Sequence, residues 1–239
     1  MRENPADAAT VVCVHGAGGG GWEWGIWARV LSVRGFAVIA PDLMPVAAGI
    51  EKTSFAAYRA QVVDWCRGAG QGIVLVGASL GGLLALAVAQ EVKPAALVLV
   101  NPLPPAGVLA RPVQPTRPPI VPWARERSLA ATLRAMPDAD DAARLYALRR
   151  WRDESGIVLN EARDGIAVDT PRCPTLLLTS ELDADVPSAA ARALAVRLSA
   201  DLRTIPGASH VGPLLGRAAA DTAAQAADWL GEHVPAAAA

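Results

Sequence analysis

The chain has 239 residues, which is the size of one ordinary domain with room for a small inserted segment. Apolar residues make up 52% of the chain and charged residues 19%, so it can bury a large core and is not intrinsically disordered. The 22 basic and 23 acidic residues leave a net charge of −1, which gives no electrostatic reason to expect nucleic acid or a membrane as a partner.

Two further features of the composition bear on location and on metal binding. The three cysteines have no regular spacing and no His, Asp or Glu cluster has ligand spacing, so we expect no disulfide framework, no metal and no other cofactor. The first seven residues are polar and acidic, whereas a signal peptide begins with basic and then apolar residues. We therefore expect a soluble, cytoplasmic protein. Nothing in the sequence indicates its oligomeric state.

Short apolar runs alternate with longer helical patterns along the chain. Most of the runs are apolar throughout, as strands buried on both faces of a parallel sheet are; they are residues 10–15, 36–40, 73–77, 96–100, 175–179 and 202–205. The helical patterns fall at residues 23–34, 54–67, 80–91, 188–199 and 214–233. This alternation predicts an α/β fold in which helices cover both faces of a mainly parallel sheet of about six strands.

One region interrupts the alternation. Eight prolines lie between Pro102 and Pro122, and their missing backbone donors predict an irregular crossing segment. The stretch that follows, to about Asp169, has the pattern of two or three short helices without a clear strand. Long insertions between sheet elements usually form lids or binding loops. We therefore predict a core of residues 1–102 and 170–239, with residues 103–169 forming a small helical cap over the carboxyl edge of the sheet.

The segment around Ser79 has the pattern Gly-x-Ser-x-Gly. A buried strand precedes this pattern and an apolar helix follows it, which is the strand–turn–helix arrangement that exposes a nucleophilic serine. Gly77 and Gly81 fit the arrangement because side chains at these positions would collide with neighbouring backbone. The alternative interpretation is a serine that only caps the helix in a tight turn.

A nucleophilic serine needs a general base, and the chain has three histidines. His15 begins a glycine-rich loop, and His233 lies at the polar end of the last helical pattern. His210 follows the last predicted strand in a loop at the sheet edge, and it comes last in the order serine, acid, histidine. His210 is therefore the predicted base.

Three carboxylates that could orient this histidine follow the run at residues 175–179: Glu181, Asp183 and Asp185. An acid here would hold the imidazole in place and stabilise its charged form. Asp185 could instead cap the helix that begins near Pro187, and Glu181 could be a solvated loop charge.

The glycine-rich loop after the first strand, residues 15–22, carries the second candidate motif. Taken alone, such a run could cradle a phosphate. No Lys-Ser or Lys-Thr pair follows it, however, as the phosphate loop of a nucleotide-binding protein requires. Because a serine nucleophile is predicted, we interpret the loop as part of an oxyanion hole, formed by the N–H groups of Ala17 and of Leu80, the residue after the serine.

These motifs together resemble the α/β-hydrolase superfamily over nearly the whole chain. Four segments stand in the expected order: His15-Gly16-Ala17, Gly77-x-Ser79-x-Gly81, Asp183-x-x-Val186-Pro187 and Gly207-x-Ser209-His210. The short methylesterase and hydroxynitrile-lyase branch is the most similar part, through Gly20, Trp22, Trp24 and the segment Pro41-Asp42-Leu43. The resemblance implies an α/β-hydrolase fold. It also implies Asp183 as the acid, because the family pattern places that residue four positions before the proline.

The resemblance and the residues together predict a serine-type carboxylic-ester hydrolase, in which Ser79, His210 and Asp183 act through an acyl-enzyme. The expected partner is a small hydrophobic ester in an apolar pocket whose predicted lining is Gly18, Trp22, Leu103, Trp123, Met136 and Trp151. One alternative is a non-hydrolytic enzyme such as a hydroxynitrile lyase, although neither Lys52 nor Lys93 is placed to be the lysine that those lyases use. The other alternative is a non-catalytic small-molecule receptor.

Overall fold

Six parallel strands form the central sheet of the computed structural model, which describes residues 9–108 and 115–234. Their bounds are Thr10–Val14 (β1), Ala37–Ile39 (β2), Val74–Ala78 (β3), Ala96–Val100 (β4), Thr175–Ser180 (β7) and Asp201–Ile205 (β8). The strands lie in the order β2-β1-β3-β4-β7-β8. The order reverses direction between β1 and β3, and open α/β sheets bind ligands beside such a reversal.

Three of the inner strands, β3, β4 and β7, are buried along their whole length and β1 is buried from its second residue on, whereas the edge strands β2 and β8 are partly exposed. Val12, Leu75 and Leu97 lie side by side in neighbouring strands and pack into the hydrophobic cluster on one face of the sheet. Val11 and Val74 are also paired and pack into the cluster on the other face. The unbroken apolar runs in the sequence arise from this burial on two faces.

Helices cover both faces, as the alternating pattern predicts. One face is covered by α1 (Gly25–Val33), α8 (Gly212–Leu215) and α9 (Ala219–His233). The other is covered by α2 (Phe55–Gly68), α3 (Leu80–Val92), α6 (Gly156–Asp164) and α7 (Ser188–Leu198). Among the described residues, no helix combines the length and the apolar character that crossing a membrane requires.

Two predicted helices are each divided in the structure. The pattern at residues 23–34 forms a 3-10 helix, Gly21–Trp24, followed by α1. The pattern at residues 214–233 forms α8 and α9, which Gly216 separates because its backbone is extended, with φ of −86° and ψ of −174°.

The residues between β4 and β7, here called the insertion (101–174), include the stretch 103–169 for which a cap was predicted. They include a short antiparallel pair, β5 (Ile120–Val121) and β6 (Glu154–Ser155), which the sequence did not predict. They also include α4 (Leu129–Ala135), α5 (Asp141–Leu148) and α6, in agreement with the predicted two or three short helices. The N-cap side chains of these three helices, Ser128, Asp140 and Ser155, each accept a backbone N–H. Part of the predicted irregular segment, residues 109–114, lies outside the described residues.

Candidate active site

Ser79 lies in the tight turn between β3 and α3. Its φ of 51° and ψ of −118° are strained for a residue with a side chain. A Cβ at Gly77 would lie 2.3 Å from the carbonyl oxygen of Gly81, and one at Gly81 would lie 2.2 Å from that of Val14. Only glycine therefore fits at the two positions. Ser79 occupies the N-cap position of α3, yet its side chain makes no capping hydrogen bond.

His210 follows β8 and lies beside Asp183, which follows β7. Asp183 Oδ2 is 2.8 Å from His210 Nδ1, and the two side chains are only 2% and 12% exposed. The other oxygen of Asp183 accepts the N–H groups of Asp185 and Val186 at 2.8 and 2.9 Å. Because Nδ1 faces the carboxylate, Nε2 is the ring nitrogen left to accept a proton.

The pKa of His210 results from opposing effects. Burial of the ring lowers the pKa, but the hydrogen bond that the ring donates to Asp183 and the charges of Asp183 and Asp185 together raise it above the ordinary value. Asp185 is itself exposed. Asp183, Asp185 and His210 also form a group that could hold a metal, since one potential ligand atom of each lies within 4.8 Å of the others. The direct hydrogen bond between Asp183 and His210 accounts for this proximity without an ion.

The other two histidines are held in structural positions. His15 is buried, its Nε2 accepts the N–H of Leu43 at 2.8 Å, and its Nδ1 donates to the carbonyl of Gly16 at 2.8 Å. Burial lowers the pKa of His15 to about 4, so the ring is neutral and fixed in one tautomer. His233 contacts the carbonyl of Trp229 at the end of α9.

A cavity of about 50 Å³ lies where Ser79 and His210 meet the glycine-rich loop. Of the residues named from the sequence, Ala17, Ser79, His210 and Trp151 line it. Its apolar wall is formed by Ala17, Ala78, Val100, Trp151, Val211 and Leu214. A volume of this size accepts a group of only a few heavy atoms.

The other residues predicted to line the pocket lie elsewhere. A Cβ at Gly18 would lie 2.4 Å from the Trp123 ring, so this tryptophan covers the outside of the glycine-rich loop. Trp22 packs edge-on against Trp151, with ring centroids 5.5 Å apart. Met136 is fully buried and Leu103 packs against the core. Of the six predicted lining residues, only Trp151 borders the cavity directly.

The two predicted oxyanion donors flank the serine. The loop that carries Ala17 approaches it closely, since a Cβ at Gly16 would lie 3.4 Å from the Cβ of Ser79. Leu80 is the first residue of α3, where the helix dipole places positive partial charge. Within the described residues, neither the Ala17 N–H nor the Leu80 N–H donates to a protein acceptor.

Three polar residues that the sequence analysis missed hold the loops of the site. Asn101, at the end of β4, donates to the carbonyl of His210 at 2.7 Å. Asp138, between α4 and α5, accepts the Oγ–H of Ser209 at 2.6 Å and its N–H at 3.1 Å. Glu154, in β6, accepts the N–H of Gly18 at 2.9 Å. The insertion thus fixes both the histidine loop and the glycine-rich loop through buried or half-buried carboxylates.

Two of these three contacts could not be found by local patterns. Glu154 and Gly18 are separated by 136 positions, and Asp138 and Ser209 by 71. Only Asn101 carries a local signal, because a polar residue at the carboxyl end of a buried strand lies at the edge where the ligands of such sheets bind.

The comparisons with known proteins agree with this architecture. Residues 11–225 match the model of the alpha/beta hydrolase family, and the chain belongs to that family, as its resemblance predicted. A comparison with curated protein sequences gives no match.

Solved structures with the same fold cover almost the whole chain. Tomato methylketone synthase I, solved as a variant with β-ketoheptanoate, has a TM-score of 0.72 and 16% identity over 95% of this chain and 98% of its own. Polyneuridine aldehyde esterase has a TM-score of 0.69 and 17% identity, with 94% and 98% coverage. A thermophilic esterase from Thermogutta terrifontis has a TM-score of 0.69 and 21% identity, with 95% and 91% coverage. At these sequence identities the similarity concerns the fold alone.

Proposed function

We propose that the protein hydrolyses a small, hydrophobic carboxylic ester through a covalent acyl-enzyme. The observation that carries this proposal is the 2.8 Å contact between His210 and Asp183 beside the strained Ser79, all at one end of the same sheet. Membership of the alpha/beta hydrolase family and the similarity in fold to esterases support it.

In the first half of the reaction, the Ser79 oxygen bonds to the ester carbonyl carbon while His210 Nε2 takes the serine proton. Asp183 holds the ring and stabilises the imidazolium that forms. The N–H groups of Ala17 and Leu80 donate to the carbonyl oxygen as it becomes negatively charged. The bond to the alcohol oxygen then breaks, and His210 returns its proton to the leaving alcohol.

In the second half, His210 takes a proton from water and the resulting hydroxide attacks the acyl carbon. The bond from Ser79 to the acyl group breaks, Ser79 regains its proton from His210, and the carboxylic acid leaves. The small cavity favours short acyl groups, because a long chain would require Trp151, and the insertion that carries it, to move away from Ser79.

The experiment that tests this proposal measures the turnover of p-nitrophenyl esters from acetate to octanoate. Replacement Ser79→Ala is expected to lower kcat by about a million-fold, since the nucleophile is removed. The matched control Ser188→Ala, at the exposed start of α7, is expected to keep full activity. Turnover is expected to decrease from butyrate to octanoate. Near-normal hydrolysis by the Ser79→Ala variant would contradict the assignment.

A further inference from the structure

One polar side chain that lines the cavity has no role in the mechanism proposed above. Within the described residues, Ser79, His210 and Glu23 are the polar side chains that line this cavity. Glu23 lies in the 3-10 helix Gly21–Trp24 and is only 4% exposed. A buried carboxyl group on an otherwise apolar wall is costly unless it has a partner.

The contacts of Glu23 leave one of its oxygens free. Oε2 accepts the N–H of Gly16 at 3.3 Å, and Oε1 has no hydrogen-bond partner among the described residues. A Cβ at Gly19 would lie 2.1 Å from Oε1, so the carboxyl group fits against the loop only because residue 19 has no side chain. Asp183, by comparison, contacts His210 and two backbone N–H groups.

The protonation state of Glu23 makes the free oxygen a potential donor. Burial raises the pKa of the Glu23 carboxyl to about 8, and the charge of Asp42 adds to this effect against the opposing hydrogen bond from Gly16. At neutral pH the group is therefore mostly a neutral acid with one O–H to donate. Gly16 donates to Glu23, and a Cβ at Gly16 would lie 3.4 Å from the Ser79 Cβ, so this donor lies close to the reacting serine in the same cavity.

We propose that Glu23 determines substrate specificity by donating a hydrogen bond to a neutral oxygen of the substrate, a hydroxyl or a ketone, within a few bonds of the carbonyl that Ser79 attacks. This inference rests on the proposed function and narrows its substrate class. The preferred substrates are small oxygen-substituted esters instead of plain alkyl esters, because a site built around a buried donor loses affinity for analogues that leave the donor unpaired.

The test compares p-nitrophenyl butyrate with the two enantiomers of p-nitrophenyl 3-hydroxybutyrate, each rate being divided by the rate of spontaneous alkaline hydrolysis. In the wild-type protein, kcat/KM for one hydroxy enantiomer is expected to exceed that for the butyrate by at least about tenfold. Replacement Glu23→Gln retains a donor and is expected to keep most of this preference. Replacement Glu23→Leu is expected to reduce the ratio to about one. Glu232→Gln, exposed in α9, is the control for loss of a carboxylate.

The ratio of the two esters separates recognition from a structural effect. If Glu23→Leu merely loosened the loop at Gly16, both esters would lose activity in proportion and the ratio would not change. An unchanged ratio in that variant, or a ratio of one in the wild-type protein, overturns the inference but does not contradict the proposed ester hydrolysis. If the wild-type protein cleaves neither ester and its serine does not react with a fluorophosphonate, the proposed function itself fails, and the inference fails with it.

Discussion

The two walls of the cavity hold their carboxyl groups in opposite ways. Behind the histidine wall, Asp183 contacts two backbone N–H groups and His210, which lines the cavity. On the wall formed by the glycine-rich loop, Glu23 has a single hydrogen bond, of 3.3 Å, in the part of the chain that the structure describes. The environment of Glu23 favours the protonated carboxyl group, because burial raises its pKa. Asp183, which contacts the proposed base, and Glu23, which lines the cavity, are therefore suited to different roles, because their surroundings differ.

The insertion fixes both walls of the cavity by the same kind of contact, a carboxylate that accepts a hydrogen bond from a loop. Asp138 binds the histidine loop through Ser209, and Glu154 binds the glycine-rich loop through Gly18. Glu154 also accepts the Tyr58 hydroxyl at 2.9 Å, which ties the insertion to α2 of the core. Residues far from Ser79 thus hold in place the two loops that carry the proposed base and a proposed oxyanion donor, and catalysis would depend steeply on the distance between these groups.

The largest expected effect comes from removing the carboxylate of Asp183, next to His210. Replacement Asp183→Asn is expected to lower kcat about 10⁴-fold, because the amide can hold the ring in the wrong tautomer and does not stabilise the imidazolium. The matched replacement Asp185→Asn is expected to change kcat by less than about tenfold, since its exposed carboxylate acts only through solvent-screened charge. Steady-state kinetics with a short p-nitrophenyl ester measures both. A larger decrease in kcat for Asp185→Asn than for Asp183→Asn would indicate that Asp185, and not Asp183, is the acid that orients His210.

A smaller effect is expected from the contact between the insertion and the histidine loop. Replacement Asp138→Ala removes two hydrogen bonds to Ser209 and frees the loop that carries His210. We expect kcat to decrease about 10- to 100-fold with little change in the rate constant for denaturation by heat, because a displacement of the base by about 1 Å is enough to cause such a loss. Replacement Asp138→Asn, which keeps an acceptor, is expected to recover most of the activity. Equal activity in all three proteins would show that the loop is positioned by Asn101 and the core alone.

The histidine wall also predicts a pH dependence. The free enzyme needs a neutral His210, so kcat/KM is expected to rise with pH through the pKa of that residue, which lies above the ordinary histidine value. In Asp183→Asn the carboxylate that raises the pKa is absent, so the midpoint of the residual activity is expected to move to lower pH. A pH profile of kcat/KM for both proteins measures the shift, and a midpoint that moves to higher pH would contradict the assigned cause.

The other wall predicts a dependence of stability on pH. Between its ordinary pKa of 4.5 and its folded value of about 8, Glu23 is protonated in the folded protein and ionised in the unfolded chain. The folded state then binds one more proton, so the free energy of unfolding decreases as pH rises through this range, by up to about 5 kcal/mol from this residue. Replacement Glu23→Gln removes the contribution. Urea denaturation at pH 5 and pH 8 is expected to show a smaller decrease in the variant than in the wild-type protein and in Glu232→Gln.

The comparison also shows which features were predictable from the sequence. The inner strands are continuous apolar runs and the turn at Ser79 lies within five residues, so local patterns predicted both. The resemblance supplied Asp183, whose carboxylate lies against His210 in the structure. The strands β5 and β6 have two residues each, which is too short for a hydrophobic pattern.

The cavity could not be predicted in the same way. Its lining depends on which insertion residues face the core: Trp151 reaches the cavity, whereas Met136 is buried among the helices and Trp123 covers Gly18 from outside. The sequence did not indicate Glu23 either. A glutamate between two tryptophans has the pattern of an exposed helix residue, and only the tertiary structure shows that this one is buried. Tertiary packing therefore determines the properties that define the substrate.

The central claim is that Ser79 is a nucleophile activated by His210. Intact mass spectrometry after treatment with a fluorophosphonate tests this claim most directly. The account predicts one adduct per chain, located by peptide mapping on the segment that contains Ser79, absent from Ser79→Ala and much slower to form in His210→Ala. Absence of an adduct from the wild-type protein, or equal labelling of the Ser79→Ala variant, would contradict it.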